Sequence, residues 1–568
     1  MRQSARHFLV PPAWLALWCA VALFAIFQHG PMPLYSTRTL AVAWEMWQSG
    51  QFIVPHINGE PYSHKVPLLF WLIHAGWAVF GVNDVWPRVL EVLIGASWIV
   101  VSVALARRVF ALRPAVARLT PWFLLALTYA FLFGLQIMYE VLLAVWVVAA
   151  LASLAGKPRW GWFAVFVGAG LMTKGPVMLL HVAFPLLLGP WWSEHARADR
   201  RGWYLKGIAA LLGGFAILVA WALPAAYAGG EAYRNELFFM QTAGRMVDSF
   251  DHARPLYWYF PMLLVLLFPW VGWPRLWHAM AKLRRPIGDG ERFLIAWLAP
   301  TFAVFCLISG KQVYYLLPLL PGAAMALACA LGRQQVRDET LGRFWNPWPL
   351  AVAALFFAVL LFALPAWLAS GHLNSHWAHD AARLSPWYGV VFVVLGLLLL
   401  LPGRGDDTQL HRVAGVGLFA AAAAHSLFAQ TLFHNFDLRP AAAAIGAARA
   451  QGVPVANLGV YAGQFHFHAR MTGHIDEIYE GQIAEWTQKH PGGLIVRYSP
   501  KLDLDARRYA RLIQPFRSQW LEIWDADKLA ALKAGKTPAE PERRTQLYPP
   551  DYWRYGTPPA RDGAELTD

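Results

Sequence analysis

The sequence between Trp14 and Phe433 consists of about thirteen apolar spans, most of them long enough to cross a bilayer, separated by short polar loops. A bilayer core offers no water to backbone amides, so such spans are expected to be helices. The whole chain is 57% hydrophobic and only 14% charged, which leaves too little polar surface for a soluble protein of this length. The sequence therefore predicts a polytopic α-helical membrane protein.

The distribution of basic residues predicts the orientation of the spans. The N-terminal segment is basic, and Lys and Arg residues recur in alternate loops, which is the bias of cytoplasmic loops. The net charge of +14 therefore reflects membrane topology and does not indicate a nucleic-acid partner. The basic N-terminus is expected in the cytoplasm, and an odd number of spans then places the C-terminal segment in the periplasm of a bacterial inner (cytoplasmic) membrane.

The last part of the chain has a different composition, with many charges and turn residues. Short β-like runs at Val453–Val460 and Gly493–Tyr498 alternate with helical patterns. We therefore predict three regions: a transmembrane domain over residues 1–434, a small periplasmic α/β domain over 435–545, and an extended or disordered tail over 546–568.

The first outer loop carries charges at the membrane surface. Apolar positions at helical spacing from Pro33 to Met46 predict an amphipathic surface helix that carries Arg38 and Glu45. Further on, Asn58-Gly59 predicts a tight turn. Lys65 then stands directly before the second span, where it could hold a lipid phosphate or simply extend to the membrane surface from a helix end.

Several other outer positions carry isolated ionisable residues. Glu140 lies at the outer end of an apolar span, where burying a charge is costly and usually serves function. Lys174 stands in a Thr-Lys-Gly-Pro turn, and Lys311 and Tyr315 lie between two spans. The loop from Gly229 to Arg254 combines cations, acids and aromatics, which suits binding of a sugar and a phosphate, although its charges could simply solvate a surface.

Metal and disulfide chemistry find little support in the sequence. The three cysteines lie in apolar spans without paired spacing. His466 and His468 could bind a metal, but we expect them to alternate along an exposed strand, with a ligand role at odds of about one in ten.

Taken together, these segments resemble the GT-C class of membrane glycosyltransferases that use polyprenyl- or dolichyl-phosphate sugars. The closest likeness is to bacterial lipid A aminoarabinose transferases, and the protein O-mannosyltransferases are more distant. The likeness rests on the order and spacing of five short segments, which are Trp44–Met46 with Phe52–Gly59, Tyr62–Pro67, Thr173–Pro176, Gly244–Pro261 and Lys311–Pro318.

The resemblance implies transfer of a sugar from a lipid phosphate to a lipid, glycan or protein acceptor on the outer face. It also implies roles for individual residues, because the cations and a tyrosine hold the carrier phosphate in such enzymes. The implied phosphate-binding residues are Arg38, Lys65, Arg245, Lys311 and Tyr315, and His64, Lys174 and Tyr259 are further candidate pocket residues.

The sequence departs from the family where the family carries its catalytic base. Relatives begin the first outer helix with an Asp-Glu pair, whereas this chain has Tyr35-Ser36. The Glu that commonly precedes the matched Lys is His64 here, and the histidine-containing stretch before Arg245 is also altered. A divalent metal is therefore a possible but disfavoured cofactor, and no other cofactor is indicated. The remaining candidate carboxylates are Glu140, at the family's second acidic position, and then Asp251 and Glu45.

Three functions fit this pattern. An active glycosyltransferase tolerates the missing Asp if its acceptor is already ionised, as a lipid phosphate is. A catalytically silent relative would bind the lipid carrier through Arg38 and Lys65 without using a carboxylate. A transporter of lipid-linked sugars is disfavoured, because the outer polar residues cluster at one surface.

Overall fold

A computed structural model describes most of the chain and divides it into two compact units. The first comprises residues 1–27, 63–358 and 390–425, and the second comprises residues 28–62, 359–389 and 426–568. The second unit thus combines the first outer loop with the C-terminal segment. The residues described are 12–238, 253–282, 287–333, 346–369, 380, 384–403, 405–502, 504–540, 543 and 545–548.

Apolar helices dominate the described part of the chain, as the sequence predicted. Six of them are long and apolar enough to cross a membrane, and a pair bent by 61° at residues 126–127 adds a seventh candidate. The long candidates are Val85–Val109, Arg200–Ala228, Asp289–Leu307, Val313–Arg333, Trp348–Leu368 and Gly405–Thr431, and the bent pair is Pro114–Leu125 with Thr128–Gly134.

Shorter apolar helices precede the first of these candidates or lie between them. They are Ala13–Ile26, Leu68–Phe80, Tyr139–Leu154, Val177–Leu187, Leu256–Leu266 and Trp387–Leu400. Further helices, several of them single turns, are Trp160–Lys174, Gly189–Trp192, Glu194–Ala198, Gly230–Asn235 and Pro274–Ala281, with a 3₁₀ turn at Trp270–Gly272.

The local sequence explains where helices Trp160–Lys174 and Val177–Leu187 meet. Helix Trp160–Lys174 ends at Gly175, whose φ of 66° is favourable only for glycine, and Pro176 follows. The next helix, Val177–Leu187, begins directly after this proline. The turn predicted at Thr173–Pro176 is therefore confirmed, and it leaves Lys174 at the C-terminal end of a helix.

The second unit contains a six-stranded mixed sheet. In the order of pairing its strands are β4 (Asp476–Ile478), β3 (Val455–Leu458), β5 (Leu494–Ser499), β7 (Gln519–Asp525), β6 (Leu512–Phe516) and β8 (Gln546–Leu547). Strand β3 is parallel to both β4 and β5, and β7 is antiparallel to its two neighbours. Two strands, β3 and β5, lie where the sequence predicted β structure.

The sheet is covered on both faces, because successive side chains of a strand point to opposite sides. Leu494 and Val496 belong to one apolar cluster, which includes helix Arg439–Ala450, whereas Ile495 belongs to the other. The second face is packed by short helices. Helices of the second unit are Ser36–Ser49, Arg439–Ala450, His466–Ala469, Ile483–Lys489, Leu504–Tyr509 and Ala526–Lys533, with 3₁₀ turns at Phe433–Asn435 and Glu480–Gln482.

The first outer loop forms the predicted helix and turn. Helix Ser36–Ser49 ends at Gly50, and strands β1 (His56–Ile57) and β2 (Glu60–Pro61) form a hairpin. Its two turn residues, Asn58 and Gly59, both have positive φ, as a tight Asn-Gly hairpin turn requires. Helix Ser36–Ser49 is buried on more than one face, so it is less exposed than a surface helix would be.

Two expectations for the C-terminal segment are wrong. His466 and His468 lie on the short helix His466–Ala469, not on a strand, and His466 is fully buried. The helix forms because Gly463 and the left-handed Arg470 set a tight turn on either side of it. At the chain end, β8 pairs with β6, so the sheet continues beyond residue 545.

Candidate active site

A buried ion pair lies at the ends of two helices of the first unit. The Lys174 Nζ lies 2.8 Å from Glu140 Oε1. Glu140 is in the first turn of helix Tyr139–Leu154 and is only 5% exposed. A carboxylate is favoured at a helix N-terminus, and a cation is favoured at a helix C-terminus, so both helix dipoles stabilise the pair. Two residues singled out separately from the sequence are therefore partners.

Aromatic rings surround the cations of this pair. The Lys174 ammonium lies 4.5 Å from the ring centroid of Tyr315, and the Lys65 ammonium lies 4.9 Å from that of Tyr139. Lys65 is also close enough to attract the Glu140 carboxylate electrostatically. Cation–π contacts of this kind hold an ammonium group in place without neutralising it. Lys65, Glu140, Lys174 and Tyr315 thus form one cluster, which we call the lysine–carboxylate cluster.

Two buried polar side chains near this cluster were missed in the sequence. Glu91, on helix Val85–Val109, is 0% exposed, lies beside the backbone N–H of Met138, and is close enough to Glu140 to interact electrostatically. His181, on helix Val177–Leu187, is equally buried and lies within electrostatic range of Lys174. Glu91 could have been noticed as a lone acid inside an apolar span.

Other candidate residues of the first unit have different surroundings. The Lys311 Nζ donates to the backbone carbonyls of Ile308 at 2.5 Å and Arg254 at 3.0 Å, and the residue is 2% exposed. The Tyr259 hydroxyl donates to the carbonyl of Gln312 at 3.1 Å. His64 is exposed. Lys311 and Tyr259 are thus already bonded to the backbone, whereas Lys65 and Lys174 face aromatic rings or a carboxylate.

An apolar cleft lies one helical turn further along the helices that carry the two carboxylates. It is small, with an accessible volume of about 10 Å³, which is room for about one water molecule, and its lining includes Gly95, Ala144 and Leu317. Gly95 and Ala144 follow Glu91 and Glu140 by four residues, so each lies on the same helix face as the corresponding acid. The cleft is therefore a small packing gap one helical turn from the two acids.

In the second unit, Arg38 and Glu45 lie on helix Ser36–Ser49. The Arg38 Nε is buried and has no hydrogen-bond partner, which is a costly arrangement for a guanidinium group. The Glu45 carboxylate accepts hydrogen bonds from the backbone N–H groups of Asn58 at 2.7 Å and Gly59 at 2.9 Å. Glu45 therefore fixes the hairpin turn, and Arg38 retains an unused donor.

The environment of Glu45 extends to a buried histidine. His466 Nε2 lies 2.9 Å from the Gly473 carbonyl and 3.7 Å from Glu45, and its Nδ1 lies 2.8 Å from the Tyr461 hydroxyl. Burial lowers the pKa of His466 below its usual value, and the nearby Glu45 carboxylate partly opposes this effect. Burial likewise raises the pKa of Tyr461 well above its usual value. The neutral forms of His466 and Tyr461 are therefore favoured, and these two side chains connect the network.

The roles of Arg245 and Asp251 remain predictions, because both residues lie outside the described residues. Within the described ranges, no group of three or more His, Cys, Asp or Glu side chains is placed to hold a metal ion. The lysine–carboxylate cluster, in contrast, has a clear chemical capacity: its cations can hold a phosphate, and its carboxylate can accept a proton.

Several known proteins are similar to this chain in sequence. Undecaprenyl phosphate-alpha-4-amino-4-deoxy-L-arabinose arabinosyl transferases match it at 27% identity in Edwardsiella ictaluri, 29% in Pseudomonas paraeruginosa and 30% in Pseudomonas aeruginosa. The matches cover 63%, 68% and 58% of this chain, and 67%, 75% and 60% of those relatives. The resemblance to this transferase family is confirmed. No protein-family model matches the chain.

Solved structures show the fold of these transferases. The ArnT of Cupriavidus metallidurans has a TM-score of 0.69 in its apo state and 0.66 when bound to undecaprenyl phosphate. These comparisons cover 93% and 90% of this chain and 98% and 97% of that protein, at 19% identity in each case. The chain therefore has an ArnT-like membrane fold.

Proposed function

We propose that this chain is an integral-membrane glycosyltransferase that moves a sugar from a polyprenyl-phosphate carrier to an acceptor on the periplasmic face. The enzyme class predicted from the sequence, a glycosyltransferase with a lipid-phosphate sugar donor, is confirmed by the names of its relatives. An undecaprenyl-phosphate-linked sugar is the corresponding donor, and the acceptor is a lipid.

The lysine–carboxylate cluster is the main support for the roles that we propose for individual residues. As the glycosidic bond breaks, negative charge develops on the phosphate leaving group, and fixed cations stabilise that charge. Lys65 and Lys174 supply two ammonium groups beside aromatic rings. Glu140 supplies a carboxylate within 2.8 Å of one of them. The cluster therefore combines a phosphate site with a proton acceptor.

In the second unit, Arg38 is proposed as a further phosphate-binding residue, because its buried Nε has an unused donor.

The finer topology is also part of the proposal. The shorter apolar helices would complete a set of about thirteen spans. The N-terminus would then be cytoplasmic, and the sheet-containing segment from residue 435 would lie in the periplasm and precede a tail. Reporter fusions at the C-terminus, which are active on only one side of the membrane, test this orientation.

Sugar transfer in proteoliposomes tests the function. The donors are a panel of polyprenyl-phosphate sugars that includes the aminoarabinose form, and lipid A is the first acceptor. We expect Lys65→Ala to reduce transfer by about 100-fold, because it removes one cation from the leaving group. Lys157→Ala is the matched control, because Lys157 is exposed and lies outside the cluster.

Two other outcomes would favour the alternative functions. Binding of the carrier that depends on Lys65, without transfer from any donor, would favour a catalytically silent lipid-binding relative; the replacement of the family's Asp-Glu pair by Tyr35-Ser36 is its support. Movement of a lipid-linked sugar across the bilayer without transfer would favour a transporter.

A further inference from the structure

The C-terminal segment holds the first outer loop through the connection between strands β3 and β4. This connection, residues 459–475, contains helix His466–Ala469 and belongs to the same unit as the loop. It contacts the loop both at the hairpin β1–β2 and at helix Ser36–Ser49, which carries Arg38. We call residues 459–475 the β3–β4 connection.

The contact at the hairpin is a reciprocal pair of hydrogen bonds. The Asn58 Nδ2 donates to the Ile475 carbonyl at 2.9 Å, and the Ile475 backbone N–H donates to the Asn58 Oδ1 at 2.8 Å. A side-chain amide has a donor and an acceptor, so it can satisfy both backbone groups of one residue. Ile475 is 1% exposed, and buried backbone groups need such partners. The pair therefore fixes the hairpin turn to the start of strand β4.

The contacts at the helix are equally close. The Trp44 Nε1 donates to the Met471 carbonyl at 2.8 Å. At Gly463, whose φ is 73°, a Cβ atom would lie 2.9 Å from the Ala41 Cβ and 3.0 Å from Ile57. Only glycine tolerates both this backbone conformation and this approach. The helix and the hairpin therefore pack directly on the backbone of the β3–β4 connection.

Arg38 lies on the helix face that is held in this way. Residues 38, 41 and 45 are spaced three and four apart, so they share one face of the helix. Ala41 contacts Gly463, and Glu45 bonds to the hairpin turn. The Arg38 Nε is itself buried. The position of the Arg38 guanidinium therefore depends on how this face is held.

We propose that the β3–β4 connection is a positioning element for the donor phosphate, because it holds the helix that carries Arg38 where this residue binds the phosphate. The inference rests on the function proposed above. A fixed cation stabilises developing charge without any reorganisation as the charge forms. Asn58 and Trp44 are positioning residues, and they act on the donor only through Arg38. The C-terminal segment thus contributes to donor use without supplying a phosphate ligand.

Two variants each remove one of these contacts. Asn58→Gly removes the side-chain amide and keeps the positive φ of 55°, which glycine adopts readily. Trp44→Phe removes the indole N–H and keeps an aromatic ring. Trp44→Phe also tests the proposal by itself if Asn58→Gly fails to fold.

Gln482→Ala is the matched control in the same segment. The Gln482 Oε1 accepts a hydrogen bond from the Tyr479 backbone N–H at 2.9 Å, so the variant also loses one side-chain bond to the backbone. The helix that follows, Ile483–Lys489, packs on one face of the sheet, and the β3–β4 connection packs on the other.

A double-mutant cycle with Arg38→Ala separates positioning from stability. Initial rates in proteoliposomes, per amount of folded full-length protein, give kcat/KM for undecaprenyl-phosphate aminoarabinose with lipid A as acceptor. We expect Asn58→Gly and Trp44→Phe each to lower kcat/KM by about tenfold, because small misplacements of a binding group are costly. In the Arg38→Ala background both should have almost no effect, since the group they position is gone. Gln482→Ala should leave kcat/KM unchanged in both backgrounds.

Several results would overturn the inference. Equal losses with and without Arg38 would show that Asn58 and Trp44 act independently of it. A higher KM for lipid A with unchanged donor kcat/KM would show that the segment serves the acceptor instead. If Arg38→Ala is too slow for rate measurements, the Kd of undecaprenyl phosphate for the protein in detergent, measured by calorimetry, replaces kcat/KM in the cycle.

Failure of the inference can be distinguished from failure of the proposed function. If the wild type transfers sugar and Arg38→Ala does so equally well, Arg38 does not hold the phosphate, and the inference fails while the enzyme class stands. If the wild type transfers sugar from no donor, the proposed function fails, and the inference fails with it.

Discussion

The two units of this protein each bury a glutamate that sequence reasoning offered as a substitute for the missing base, and the two have different partners. Glu45 accepts two hydrogen bonds from backbone amides of a hairpin turn. Glu140 is bonded to the side chain of Lys174. Backbone amides cannot leave their acceptor without unfolding the turn, whereas a lysine side chain can rotate away. A carboxylate held by a mobile cation is suited to change its charge, and one held by the backbone is suited to stabilise a fold.

Substitutions of Glu140 and Glu45 are expected to differ most in their effect on catalysis. Replacing Glu140 with glutamine removes the proton acceptor, and we expect kcat to fall by about 10²–10⁴-fold, the usual contribution of a general base. The thermal unfolding midpoint should also fall, because the buried Lys174 ammonium loses its charged partner, so rates are compared for equal amounts of folded protein. Initial rates in proteoliposomes, with donor saturating, measure the effect.

Glu45→Gln is the matched variant for this comparison. It should retain most of the transfer rate once the fraction of folded protein is taken into account. Equal loss of kcat in both variants, with intact folding, would remove the distinction between the two carboxylates.

The sequence predicted the membrane class and much of the local structure of both sites. The Asn58-Gly59 turn and the Thr173–Pro176 turn follow from residue chemistry, because glycine adopts positive φ and proline ends a helix. The pairing of Lys174 with Glu140 could not be predicted, because it joins residues 34 positions apart. It depends on how two helices pack, which local patterns do not specify.

The errors have physical causes as well. Two histidines at alternate positions are too few to specify a strand, and the segment around His466 forms a helical turn that buries the ring. Glu91 lies inside an apolar span, so the charges of the loops do not reveal it; its only sequence signal is the high cost of burying an acid there. The roles of Arg245 and Asp251 stay predictions.

The second effect is expected in stability. Glu45→Ala removes an ionised acceptor from two backbone amides, and hydrogen bonds to charged groups contribute about 1.5–3 kcal/mol each. We expect a lower thermal midpoint and faster proteolysis in the loop around the hairpin, measured on purified protein. Glu140→Ala leaves the buried Lys174 ammonium without its carboxylate partner, which costs about 3–5 kcal/mol, so it should lower the midpoint at least as much. Unchanged proteolysis of the hairpin loop in Glu45→Ala would contradict the structural role of Glu45.

The smallest effect is expected from the histidine beside Glu45. Because burial lowers the pKa of His466, the unfolded chain binds a proton below about pH 6.5 while the folded chain does not. His466 therefore contributes stability above that pH, and the contribution is lost as the pH falls, by at most about 1.4 kcal/mol per pH unit. Thermal midpoints of the wild type and His466→Gln between about pH 7 and pH 5 measure it, and the variant should show the shallower decline. If both decline in parallel, His466 binds its proton equally in the folded and unfolded chains, and the 3.7 Å contact with Glu45 then carries an ion pair.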